Sequence, residues 1–111
     1  MKIYRVERRD HFGPYMGGSN AVCVWASNRH PSPIEDVGID RRIQRDERCG
    51  FTSKRGLKSW FLKRTREDLH EEGYYLAVYD VPRDQVTRGE KQALFRWSQK
   101  YFVGREPLVP A

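Results

Sequence analysis

A chain of 111 residues with 38% hydrophobic content and fourteen aromatics has enough apolar side chains for one modest core, which excludes a disordered chain. Its net charge of +6 is concentrated: residues 41–66 hold ten Lys or Arg against Asp46 and Glu47, and the rest of the chain sums to −2. That sign excludes a carboxylate-covered mimic of nucleic acid, and no apolar run approaches the roughly 20 residues of a membrane-spanning helix.

In chain order, Lys2 to Glu7 alternates Ile3, Arg5 and Glu7 with Tyr4 and Val6, the period of a strand. Phe12 to Gly18 reads as a turn region, and Asn20 to Ala26 as a short buried strand. The Pro31 and Pro33 pair then breaks regular structure. From Ile34 to Cys49 the chain is polar and irregular, with one helical turn expected around Arg41 to Arg45.

Phe51-Thr52-Ser53 opens the strongest predicted helix. Thr52 or Ser53 caps it, Leu57, Trp60, Phe61, Thr65 and Leu69 form one stripe, and Gly73 stands just past its end. Tyr74 to Asp80 is a strand, Val81 to Asp84 a turn, and Gln92 to Trp97 a returning strand. Trp25, Trp60 and Trp97 are expected as core anchors. The outline is α+β: a small, mostly antiparallel sheet of four to five strands crossed by one main helix. A single domain is expected over residues 1–103, with a loose tail at 104–111.

The predicted helix carries its bases first and its acids last, against its own dipole. The functional reading is an anion site at the helix start, and the plainer one is a solvated charged face. Upstream, Arg41, Arg42, Arg45 and Arg48 recur at spacings of three and four, so a helical turn lines them on one face for bidentate contact with phosphate or carboxylate. Together with Lys54, Arg55 and Lys58 they form the candidate partner-binding set. Interleaved stacking aromatics, which single-stranded nucleic-acid binders use, are missing from this segment. Cys23, Cys49, His11, His30 and His70 match no zinc spacing, so no metal is expected. The two cysteines read as reduced, buried thiols. The serines lie in no nucleophile context, which leaves hydrolase chemistry without a signature.

Two resemblances add to this. Lys2 to Glu7 with Gly13-Pro14-Tyr15, His30-Pro31-Ser32-Pro33, Gly50 to Ser53, Leu57 to Phe61, Tyr79 to Pro82 and Gln92 to Phe95 resemble small phage and prophage proteins without assigned activity. The resemblance spans nearly the whole chain. It implies a soluble protein of the host bacterial cytoplasm acting in phage–host conflict, as a non-enzymatic inhibitor of a defence complex of the CRISPR–Cas kind. Its partners would be a host defence protein or ribonucleoprotein, reached partly through backbone phosphates and requiring no cofactor. The order of elements also resembles a minimal ADP-ribosyltransferase core. That resemblance implies NAD held by Arg5 on the first strand, Ser53 in the middle motif and Glu90 in the last one. The chain departs from it at Gln92, where the family usually has its catalytic Glu. A third reading is a nucleic-acid-binding phage factor, which predicts affinity that falls steeply with salt.

Overall fold

The computed structural model describes residues 1–13, 36, 38–39, 41 and 43–109. Among these residues six strands form two antiparallel sheets. The first has the order β1 (Lys2–Glu7), β3 (Tyr75–Asp80), β6 (Phe102–Glu106), and the second β2 (Glu47–Gly50), β5 (Ala93–Arg96), β4 (Val86–Arg88). The sheets join at one bridge, where Tyr4 and Phe51 exchange backbone hydrogen bonds of 2.7 and 2.8 Å.

The alternation of β1 explains the layering. Val6 packs with Phe51, Leu57, Trp60, Phe61 and Leu69 on the helical side. Ile3, on the opposite face of the pleat, packs with Ala77, Tyr79 and Phe95, the last from the second sheet. The first sheet is thus the middle layer between helices and second sheet, an α+β architecture. The expected single sheet is instead divided in two.

The expected main helix is also two, α1 (Lys54–Trp60) and α2 (Lys63–Glu71). Its N-cap is as read: the Ser53 hydroxyl accepts from the Gly56 N–H at 2.9 Å. The break falls at Phe61 and Leu62, both extended. Adjacent residues on one continuous helix point about 100° apart. Breaking it after Trp60 lets both Trp60 and Phe61 reach Phe51, at ring distances of 5.5 and 6.2 Å. Ser59 bonds back to the Arg55 carbonyl, and the Arg66 guanidinium takes the carbonyls of Lys58 and Phe61 at 3.2 and 2.6 Å. Arg66 therefore closes the C-terminus of α1. Gly73 ends α2 at φ +93°, a conformation that favours glycine.

Three strands escaped the sequence reading. β2 is half charged, β4 has three residues, and β6 runs into the stretch read as a loose tail, beyond which Leu108 is buried. The expected strand at 20–26, with Trp25 and Cys23, lies outside the described residues, as does His30. Among the described residues no helix is long and apolar enough to cross a membrane.

Candidate functional site

The basic segment does not form one face. Arg45–Asp46 is a turn and β2 starts at Glu47, so the expected helical row of arginines is absent; Arg42 lies outside the described residues. Alternation along β2 sends Glu47 and Arg48 to opposite faces. Arg41 grips Glu47 with two 2.7 Å bonds and also reaches Thr87 Oγ1 at 3.2 Å. Glu47 also accepts the Gln44 N–H, and the Arg41 bonds hold its carboxyl below the usual glutamate value. Arg48 lies over the Trp97 ring. Lys54 pairs with Glu106 at 2.9 Å. Of the candidate set, Arg45, Arg55 and Lys58 remain exposed, joined by Lys63 and Arg64 at the start of α2. Neither helix has an acid in its first turn.

Arg41 is thus a strap on the second sheet. Arg41→Met is expected to destabilise the fold at pH 7, by less than the loss of a fully buried pair would, because its side chain is 36% exposed. A depressed carboxyl contributes stability above its unfolded pKa and loses it as pH falls through the folded value. The gap between wild type and variant in urea melts should therefore narrow progressively as pH falls below the ordinary glutamate range.

A second cluster, centred on a buried carboxylate, is assembled from β1, β3 and the loop after β1. Arg5 and Glu7 share a face of β1, and Glu7 is fully buried. Its carboxylate accepts from Arg5 Nε at 3.0 Å, from the Tyr79 hydroxyl at 2.7 and 2.9 Å, and from His11 Nδ1 at 2.8 Å. Trp97 Nε1–H donates to the Tyr79 oxygen at 2.9 Å. Burial, reinforced by Glu7, pushes the Tyr79 phenol far above its ordinary value, so it stays a donor at any working pH. Arg5 also reaches the carbonyls of Cys49 and His11. His11 sits at φ +69°, a strained backbone for a residue with a Cβ, in a turn closed by Arg8 and Phe12. Its ring is wedged between Trp97 and Phe102, at 5.4 and 5.3 Å. With Nδ1–H given to Glu7, Nε2 is left as the proton-accepting atom. Trp97, expected as a core anchor, is half-buried and belongs to this cluster. Sequence alternation already placed Arg5 and Glu7 on one face; what it lacked was the burial of that face.

Of the three positions of the transferase resemblance, Arg5 alone lies on a strand. Arg5 on β1 bonds to the Cys49 carbonyl of β2, Ser53 follows β2, and Ala93, just after Gln92, pairs with Gly50. Each is engaged separately: Arg5 with Glu7, Ser53 as a helix cap, and Glu90 in the β4–β5 turn rather than on a strand. That turn is held by Asp36, which is 1% exposed and accepts the N–H groups of Glu90, Lys91 and Gln92 at 2.8–3.2 Å. Burial pushes the Cys49 thiol up, which keeps it protonated and a poor nucleophile.

No solved structure matches the chain. It is similar to an uncharacterized 19.7 kDa protein from the motB-dexA intergenic region of Enterobacteria phage T4, with 48% identity over 54 residues. That stretch covers 49% of this chain and 32% of the T4 protein, about a third of its length. A family model described as Bacteriophage T4 Y00F protein matches residues 1–109. With nearly its whole length matched, the chain belongs to the phage T4 Y00F protein family.

Proposed function

We propose that this phage protein is a non-enzymatic binder that docks on a host defence complex, through the basic surface of its helix pair. The observation that carries this reading is the exposure of Arg55, Lys58, Lys63 and Arg64 on two consecutive short helices that lack acids in their first turns. Internal ion pairs take up Arg41 and Lys54, but leave this group facing solvent, with Arg64 only loosely near Asp68 at 3.5 Å. The exposed Leu62 between the helices adds an apolar contact inside the charged surface. Such a face attracts phosphates or acidic protein and speeds encounter with either.

The test is a tagged pulldown from host lysate, with and without nuclease, using wild type and an Arg55→Glu, Lys58→Glu, Lys63→Glu triple variant. The expected result is a discrete host complex held after nuclease and lost by the variant, whose thermal transition stays that of wild type. Equal recovery by the variant overturns the reading.

The contact of Arg5 with β2 just before Ser53, and the pairing of β2 with the strand that follows Glu90–Gln92, support a second reading, ADP-ribosyl transfer from NAD. Against it stand the engagement of Arg5 by Glu7 and the amide of Gln92, which cannot stabilise a developing cation as a carboxylate does. In the same experiment, NAD consumption abolished by Glu90→Gln would replace the binder reading with this one.

A further inference from the structure

Six basic side chains lie over aromatic rings among the described residues, within 4.8–5.9 Å of the ring centroids. Three of them are linked into one strip through His11. Arg48 Cζ stands 5.7 Å over Trp97, and Trp97 meets the His11 ring. His11 meets Phe102, and Arg105 Cζ lies 4.8 Å over the other side of the strip on Phe102. Arg105 then donates to the Arg9 carbonyl at 3.3 Å, and Arg9, with Cζ 5.5 Å from the Tyr75 ring centroid, donates to the Tyr75 hydroxyl at 3.2 Å. The aromatics absent from the basic segment of the sequence are thus supplied by the fold, next to different arginines.

We infer that this strip is a binding face for single-stranded nucleic acid, distinct from the basic helix face. Three features of the strip select that ligand. Guanidinium planes backed by aromatic rings recur along it, those of Arg9 and Arg105 exposed, which suits stacking of unstacked bases. Arg9 and Arg105 are exposed and, among the described residues, have no carboxylate partner, so their charge is available to phosphates. The strip is also pre-ordered: the buried Glu7, Tyr79 and Trp97 bonds fix His11 against both rings, so little side-chain freedom is lost on binding. A duplex hides its base faces and would use only the charges.

The experiment measures fluorescence anisotropy of a labelled oligouridylate of roughly 12 nucleotides with the full chain, at about 50 and 200 mM salt. The expected result is saturable binding that weakens with salt. A duplex of equal length and polyglutamate should compete poorly. The Arg9→Ala, Arg105→Ala pair should weaken binding about tenfold or more. Arg105→Lys, which keeps the charge and removes the flat plane, should lose severalfold and guards against a folding defect in the pair. The Lys58→Glu, Lys63→Glu variant, which changes only the general field of the protein, should lose clearly less than the Arg9, Arg105 pair. The inference is overturned if the oligouridylate does not bind, if the duplex competes equally, if Arg105→Lys is silent, or if the helix-face variant loses as much as the Arg9, Arg105 pair.

Discussion

Replacing Glu7 with Ala should cost about 4 kcal/mol, enough to remove most of the stability of a domain of this size. The carboxylate is fully buried and is the shared acceptor for Arg5, His11 and Tyr79. Its loss strands a guanidinium that is itself only 6% exposed. An uncompensated buried charge costs far more than the pair contributes, so the remedy should lie in removing both partners. The Arg5→Met, Glu7→Leu double variant is expected to regain at least half of the loss in urea melts. His11 should then lose its fixed orientation, read as a changed signal from the adjacent Trp97. A Glu7→Ala variant within about 1 kcal/mol of wild type would show that the network contributes orientation without stability.

Asp36→Ala is the second large effect, expected at about 3 kcal/mol, because one carboxylate serves three consecutive backbone N–H groups of the β4–β5 turn. Gly89 belongs to the same device. A Cβ there would stand 2.5 Å from Asp36 Oδ2 and 2.8 Å from Ile39 Cδ1, so Gly89→Ala must displace the carboxylate. The two substitutions act on one interaction and should be strongly non-additive, the double variant losing little more than Asp36→Ala alone. Amide exchange at Glu90, Lys91 and Gln92 should accelerate in each variant. Additive losses, or unchanged exchange at those amides, would count against the device.

Much of the fold was legible where local pattern and tertiary packing agree. The alternation of Lys2–Glu7, the Ser53 cap, Gly73 and the apolar run of Tyr75–Asp80 all carry their signal within a few residues. The helix break was not legible, because the three-and-four stripe from Leu57 to Leu69 continues across it; what decides it is Phe51, outside the helix, drawing in two adjacent aromatics. β2 and β6 were hidden because Glu47 and Arg48, or Arg105 and Glu106, look like loop residues until a neighbouring strand pairs with them. The basic segment shows the same limit in charge. Lys54 meets Glu106 across 52 positions, and Arg41 meets Glu47 only because β2 begins there. Which cations stay free depends on acids that folding delivers. Conversely, the strip around His11 draws on residues from Arg9 to Arg105, and no window of sequence contains it.

The pairing order of the strands has a consequence for how the chain leaves the ribosome. β1 finds its sheet partner in β3 and β2 in β5, so both of these strands wait for residues beyond Gly73. The contact between Tyr4 and Phe51 is a single bridge, too little to hold two halves of a sheet that have not formed. Until β3 has emerged, α1 and α2 are short helices with apolar faces and no sheet to cover them. Nascent chains ending near Gly73 should therefore be open to protease, and chains reaching past Glu106 resistant, with acquisition of structure late and in one step.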